Sequence, residues 1–289
     1  MGTINHCAYL KSRVFCAFIF SLLFSVPAEA MDLGLIEPEI LQRNLNSYVI
    51  LDARPKSEWL AGHIPGALSL SWEDYTRTDE RGVPYRVWPA QELAKALGKM
   101  GISEHAAIAV YGDADKSWGG EGWDCWVLSW LGHKGPIRLL AGGIQSWRDN
   151  GFRTASGAEK ITARPVQYRF KTNERIEIST TEIERHGPGI VLIDTRSLFE
   201  RIKGRIPDSV HIEWKNFYTG KDRRPLQSEA LKKLLRDNGV NAGEQVVYYC
   251  TGGIRSAYAW LVHQLAGLPT ARNYEGGFEE WSRLSRNRH

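Results

Sequence analysis

Val246-Val247-Tyr248-Tyr249-Cys250-Thr251-Gly252-Gly253-Ile254-Arg255-Ser256 decides the fold. Four β-prone apolar residues end in a cysteine, two glycines follow, and large apolar residues then recur at helical spacing from Ala257 to Leu265. The pattern predicts a strand, a tight loop and a helix, with a thiol at the strand's carboxyl end. Backbone N–H groups of such a loop, beside a helix N-terminus, favour an anion at its centre. A cysteine held there acts as a nucleophile in its thiolate form. The plain alternative is a small buried hydrophobe, but that role does not call for a loop able to curl its amides around sulfur. Arg255 adds a positive charge suited to a thiolate or an anionic substrate.

Working outward, the chain repeats itself. Val49-Ile50-Leu51-Asp52-Ala53-Arg54 matches Val191-Leu192-Ile193-Asp194-Thr195-Arg196, and Glu58, Gly62, Ile64-Pro65 and Trp72 match Glu200, Gly204, Ile206-Pro207 and Trp214 at the same offset of 142 residues. Gly142-Gly143-x-x-x-Trp147 matches Gly276-Gly277-x-x-x-Trp281 at a shorter offset, so the first copy carries longer loops. Each copy alternates strands (49–52, 108–111; 191–194, 246–249) with helices (90–98; 228–238), which predicts a mostly parallel sheet covered on both faces. Ligands of such sheets sit beyond the strands' carboxyl ends, where Cys250 falls. The polar, aperiodic stretch 153–175 reads as a linker between domains at 31–152 and 176–289.

Residues 1–30 read as an export signal. Lys11 and Arg13 precede an apolar run, Val14 to Val26, too short to span a bilayer, and Ala28-Glu29-Ala30 offers a cleavage site. The expectation is an exported protein, periplasmic in a Gram-negative cell and free of the membrane after cleavage. A formal net charge of +4, with no basic run interleaved with aromatics, gives no argument for nucleic acid. Of four cysteines, Cys125 and Cys250 survive cleavage, too few for a disulfide scaffold, although one bridge between them stays open. His211 and His263 lack metal-ligand spacing, so no metal is expected.

Asp-x-Arg…Glu…Gly-His-Ile-Pro-Gly-Ala in the first copy, Cys-Thr-Gly-Gly-Ile-Arg-Ser in the second, and Gly-Gly-x-x-x-Trp near the end of each resemble the rhodanese family. The likeness spans the mature chain in the tandem arrangement of thiosulfate and 3-mercaptopyruvate sulfurtransferases. It implies a silent first domain and an active second one that needs no cofactor. Cys250 would take sulfane sulfur from a small anionic donor, hold it as a persulfide, and pass it to cyanide or a thiol. Thr251, Gly252, Gly253, Ile254, Arg255 and Ser256 are the candidate substrate contacts, their amides suited to holding the persulfide, while Arg205 reads as a surface ion pair, with reach toward an anionic donor as the alternative. Asp194 and Arg196 are expected to fix the strand end instead.

The copies bear on this asymmetry. Setting Val110-Tyr111-Gly112-Asp113 against Tyr248-Tyr249-Cys250 places Asp113, which cannot carry sulfur, where Cys250 stands. Cys125, amid Trp123, Trp126 and Trp130, is expected inside a helix, while Trp118 and Trp123 are candidates to wall an interdomain cleft. The loop departs from the family's common forms, having neither basic residues just after the cysteine nor Cys-Gly-Ser/Thr-Gly-Val-Thr. Arg205 and Asp208 also replace the His63 and Gly66 of the first copy. Arg255 favours thiosulfate as donor. Two other readings remain: a cysteine phosphatase, whose loop has five residues between cysteine and arginine against four here, and a sulfur-carrier module without turnover.

Overall fold

The computed structural model describes residues 1–2, 31–114, 116–160, 163–186, 189–241, 243–268 and 271–286. The expected export signal lies outside the described residues. The first copy runs β1 (Leu33–Ile36), α1 (Pro38–Arg43), β2 (Val49–Asp52), α2 (Lys56–Ala61), β3 (Leu68–Ser69), α3 (Trp72–Tyr75), β4 (Thr76–Arg77), β5 (Arg86–Val87), α4 (Ala90–Lys99), β6 (Ile108–Tyr111), α5 (Gly120–Trp130), β7 (Ile137–Leu140) and α6 (Gly143–Asp149). The second runs α7 (Thr180–His186), β8 (Val191–Asp194), α8 (Leu198–Ile202), β9 (Val210–His211), β10 (Tyr218–Thr219), β11 (Arg224–Pro225), α9 (Ser228–Asp237), β12 (Val246–Tyr249), α10 (Ile254–Leu265), β13 (Ala271–Tyr274) and α11 (Gly277–Arg286).

Both copies build an all-parallel sheet, in the orders β1-β7-β6-β2-β3 and β13-β12-β8-β9. Strand β12 is buried at every residue between β13 and β8, and β6 is likewise buried between β7 and β2. Their unbroken apolar runs are what a strand covered on both faces requires. Two short antiparallel hairpins, β4–β5 and β10–β11, stand apart from the sheets.

Each central strand end is locked in the same way. Arg196 donates to both carboxylate oxygens of Asp194 (2.9 and 2.7 Å) and to the Gly204 carbonyl. Arg54 does the same with Asp52 (2.9 and 2.6 Å) and the Gly62 carbonyl. These groups are buried, and each charge is compensated by its partner. Asp194 and Arg196 therefore do the anchoring expected of them, and the turn between α8 and β9 is pinned through Gly204.

The expected linker is not loose. Val166 donates to the Gly98 carbonyl and Lys171 to that of Leu131, while Tyr168 is buried beside His133. The stretch lies along the first copy, its backbone donors matched by carbonyls at the ends of α4 and α5.

The two copies meet chiefly through α5 and α10. A Cβ added to Gly122 would sit 2.7 Å from the Tyr258 backbone nitrogen and nearer still to its Cα, so the helices touch backbone to side-chain-free backbone. The hairpins complete the join reciprocally. From the first copy, Arg86 pairs with Glu275 (2.7 Å) and Glu280 (3.0 Å), and Arg81 with Glu280 (2.6 Å). From the second, Arg224 donates to both oxygens of Glu37 at 2.9 Å.

Glu275 is buried behind the cysteine loop and accepts the Val87 N–H at 2.6 Å. Burial pushes its carboxyl from the ordinary 4.5 up to about 7, against the pull of Arg86 and the Val87 amide; Glu177 and Glu280 push the same way as burial. A raised folded-state value means stability that is complete below about pH 4.5 and is lost as pH rises through about 7, on the order of 3 kcal/mol in all. In urea unfolding, Glu275→Gln is expected to flatten that decline. Equal pH slopes for wild type and variant would contradict this.

Candidate active site

Cys250 is the first residue after β12 and the floor of a cleft of about 340 Å³. From the second copy the cleft is lined by Thr251, Gly252, Ile254, Arg255 and Glu200, and from the first by Trp72, Tyr85 and Trp118. Gly253 takes φ +82° and caps α10, which lets the chain turn from strand to helix over three residues. A Cβ at Gly253 would meet the Glu275 backbone, with its carbonyl carbon at 3.2 Å; one at Gly252 would lie 2.8 Å from Tyr85 Cδ2. Both glycines are thus required by close approach.

Among the described backbone hydrogen bonds, none is donated by the N–H of Thr251, Gly252 or Gly253. These donors sit where the helix N-terminus adds its own partial positive charge. Ser256 Oγ lies 3.6 Å from the Cys250 sulfur and 2.6 Å from Asn273 Oδ1, and Asn273 in turn donates to the Gly253 carbonyl at 3.1 Å. The buried Ser256–Asn273 pair fixes the loop from behind.

Arg255 differs from expectation. Its guanidinium donates to both oxygens of Glu200 (2.8 and 2.7 Å) and to Thr251 Oγ1 (2.7 Å). Burial works against its charge, but Glu200 and the neighbouring Cys250 outweigh this and raise its pKa above the ordinary arginine value. Glu200 is partly desolvated, yet the Arg255, Ser197 and Thr251 hydrogen bonds hold its carboxyl well below the usual range. The Ser197–Glu200 capping box on α8 aims the carboxylate at the loop. Arg255 therefore braces the loop as half of a neutral pair, and the argument from its free charge to thiosulfate no longer holds.

Glu200→Gln should cost about 1–3 kcal/mol through lost charge-assisted hydrogen bonds. Because the Glu200 value is depressed on folding, its contribution is present above about pH 4.5 and is lost on acidification, so the variant is expected to show a weaker acid-unfolding limb. The freed Arg255 charge should lower KM for a dianionic donor. An unchanged KM with unchanged acid stability would contradict the pairing.

Of the expected substrate contacts, Thr251, Gly252, Ile254 and Arg255 line the cleft, while Gly253 and Ser256 lie behind it. Arg205 does not reach the cleft. It is exposed on the turn that Arg196 pins through Gly204, with its neighbour Ile206 turned into the core instead. Trp118 lines the cleft as expected, but Trp123 is buried in the core. Among the described residues both cysteines are free thiols, and Cys125 is packed within α5, where burial pushes its pKa far up.

The counterpart of Cys250 is Gly112, not Asp113. Strand register pairs Asp52 with Tyr111 and Asp194 with Tyr249, so the next residues correspond. The two strands are of equal length and end in Tyr111 and Tyr249, and the longer first-copy loop begins only after Gly112. Counting two residues on from Gly119 and Gly253, which cap α5 and α10, puts Glu121 at the place of Arg255. A Cβ at Gly112 would collide with the Glu121 carboxyl, and Ser117 Oγ would be 2.7 Å away. Burial raises the Glu121 pKa. The first copy has lost both thiol and arginine, and a carboxyl fills the space.

Residues 37–150 and 181–284 match the family model described as the rhodanese-like domain. A Haloferax volcanii protein provisionally named a thiosulfate sulfurtransferase is 30% identical over 246 residues, covering 77% of this chain and 81% of that protein. The sulfur carrier protein TtuD of Thermus thermophilus is 27% identical over 246 residues, covering 77% and 83%. The crystal structure of the 3-mercaptopyruvate sulfotransferase SseA from Escherichia coli superposes with a TM-score of 0.75 at 19% identity, over 85% of this chain and 98% of that one. With a strand-loop-helix cysteine site in one copy and its filled counterpart in the other, the chain belongs to the rhodanese family as two tandem rhodanese-like domains.

Proposed function

We propose that the protein is a sulfurtransferase that moves sulfane sulfur from thiosulfate or 3-mercaptopyruvate to cyanide or a thiol through a persulfide on Cys250. The observation that carries this reading is the position of Cys250, on the floor of a cleft where the N–H groups of Thr251, Gly252 and Gly253 are uncommitted. The Cys250 thiolate attacks the outer sulfur of the donor, the donor's S–S or C–S bond breaks, and sulfite or pyruvate leaves. The persulfide is itself an anion, and the loop amides hold it without reorganising. An acceptor nucleophile then attacks the outer sulfur and Cys250 departs as thiolate.

Intact mass after incubation with thiosulfate, and separately with 3-mercaptopyruvate, tests the reading. A gain of about 32 Da that cyanide removes supports it and names the donor. No gain from either donor with a free thiol would sink it. The name of the Thermus relative supports a second reading, a carrier that holds sulfur without catalysing repeated turnover. Loading followed by a single discharge would favour that alternative.

We also propose export of the chain with cleavage before Met31, supported by the apolar run and Ala28-Glu29-Ala30. No helix among the described residues is long and apolar enough to cross a membrane. Cell fractionation with N-terminal sequencing tests this, and an intact amino terminus on the cellular protein would refute it.

A further inference from the structure

We propose that the organic partner in this sulfur transfer is a flat aromatic or heteroaromatic thiol, seated against Trp118, Tyr85 and Trp72 with its sulfur facing Cys250. The inference rests on the sulfurtransferase reading and narrows its substrate class.

Size is the first argument. A cleft of about 340 Å³ is in the range of pockets for organic ligands. Thiosulfate, with five heavy atoms, would leave most of it unfilled. Charge is the second. The charged residues lining the cleft are Glu200 and Arg255, and they neutralise each other in a bidentate pair. Apart from the loop amides at the sulfur, a dianion meets no uncompensated cationic side chain there, whereas a group of net charge near zero meets no penalty.

The walls supply the third argument. Trp72 and Tyr85 stand edge to face with ring centroids 6.0 Å apart, and Trp118 is 54% exposed with its ring 5.9 Å from the Arg255 guanidinium. Three rings lining one cleft with the sulfur, Tyr85 and Trp118 exposed and Trp72 half-buried, offer stacking and edge contacts to another ring.

The internal repeat acts as a control. Trp118 lies on the first-copy loop Gly112–Gly119, four residues longer than Cys250–Gly253, so the second copy has no counterpart to it. It is held at φ +54°, a backbone region that costs a tryptophan of order 1 kcal/mol, and is retained in spite of that. The hairpin position of Tyr85 (φ +64°) corresponds to Arg223 (φ +53°), so the turn is shared and the aromatic side chain is not. Over Gly112, where Arg223 and Asp222 take that place, the cavity is only about 20 Å³. Of the two corresponding loop sites, the one over the thiol has both the aromatic walls and the space.

The step is sulfur for sulfur. The partner's thiolate attacks the outer sulfur of the Cys250 persulfide, the S–S bond breaks, and Cys250 leaves with the electron pair. The partner departs as its own anionic persulfide, taking the terminal sulfur and its negative charge with it. No oxidant or reductant enters, and the reverse reaction makes the same persulfide a donor.

The test uses full-length enzyme loaded with thiosulfate, with loading verified by intact mass. Discharge is then followed with 2-phenylethanethiol and 2-cyclohexylethanethiol, which share chain length and closely similar thiol acidity but differ in flatness. A kcat/KM ratio of about 5–10 in favour of the phenyl compound is expected, expressed in KM and reduced to near one in Trp118→Ala. A ratio near one in the wild type overturns the proposal. So does an unchanged ratio in Trp118→Ala, because a purely structural loss lowers both rates together. Failure to load from thiosulfate and from 3-mercaptopyruvate alike sinks the parent reading, whereas loading from either without discrimination sinks the aromatic partner alone.

Discussion

Cys250→Ala is expected to take up no sulfur from thiosulfate or 3-mercaptopyruvate, and its turnover should fall on the order of 10⁴-fold or more. The size of the effect follows from the absence of a substitute. Ser256, whose Oγ is the nearest described hydroxyl at 3.6 Å, is already committed to Asn273 and cannot form a persulfide. Stability should hardly change, since the deletion removes one small buried sulfur, about 1 kcal/mol at most. Intact mass reads the chemistry and urea unfolding the stability. Retained sulfur uptake in the variant would move the site elsewhere, first to Cys125 as the other free thiol among the described residues.

Gly122→Ala should cost about 2–4 kcal/mol and open the cleft, although Gly122 touches no substrate. The added methyl would overlap the Tyr258 backbone at the closest approach of α5 and α10. Neither helix can yield alone, because α5 is buried throughout Gly120–Ser129 and α10 throughout Ile254–His263. The two copies must therefore move apart, carrying Trp118 and Tyr85 away from Cys250. Activity is expected to fall with KM rising more than kcat falls. A variant of wild-type stability and activity would show that the helices have slack which the packing does not suggest.

The central strands and the helices at 90–98 and 228–238 were legible because their patterns are local: buried runs of four apolar residues, and helical spacing ended by a glycine. The repeat gave the tandem architecture and the location of the thiol. Strand β1 was missed, since it is an edge strand whose pairing with β7 joins residues a hundred positions apart. Glu200 was legible only as a repeat position; a glutamate on a short polar helix looks solvated until its capping box and Arg255 are seen together. Trp72 and Tyr85 could not be placed because they reach Cys250 across the join between copies, which no local pattern encodes. The charge of Arg205 was visible, but whether it faced the donor or solvent was set by the pinned Gly204 turn, which leaves it exposed.

The reciprocal hairpins have a wider consequence. A contact in which each half offers the same element to the same place on the other is the isologous geometry of a two-fold dimer. Covalent tandem linkage turns that symmetry into a division of labour. Once both halves are on one chain, each is free to vary separately, so one can surrender its own pocket and grow the loop that shapes its neighbour's. Glu121 plugging one pocket and Trp118 overhanging the other are two sides of that exchange, within nine residues of Gly112. The wall of the Cys250 cleft is thus supplied in part by the half whose own loop carries no thiol.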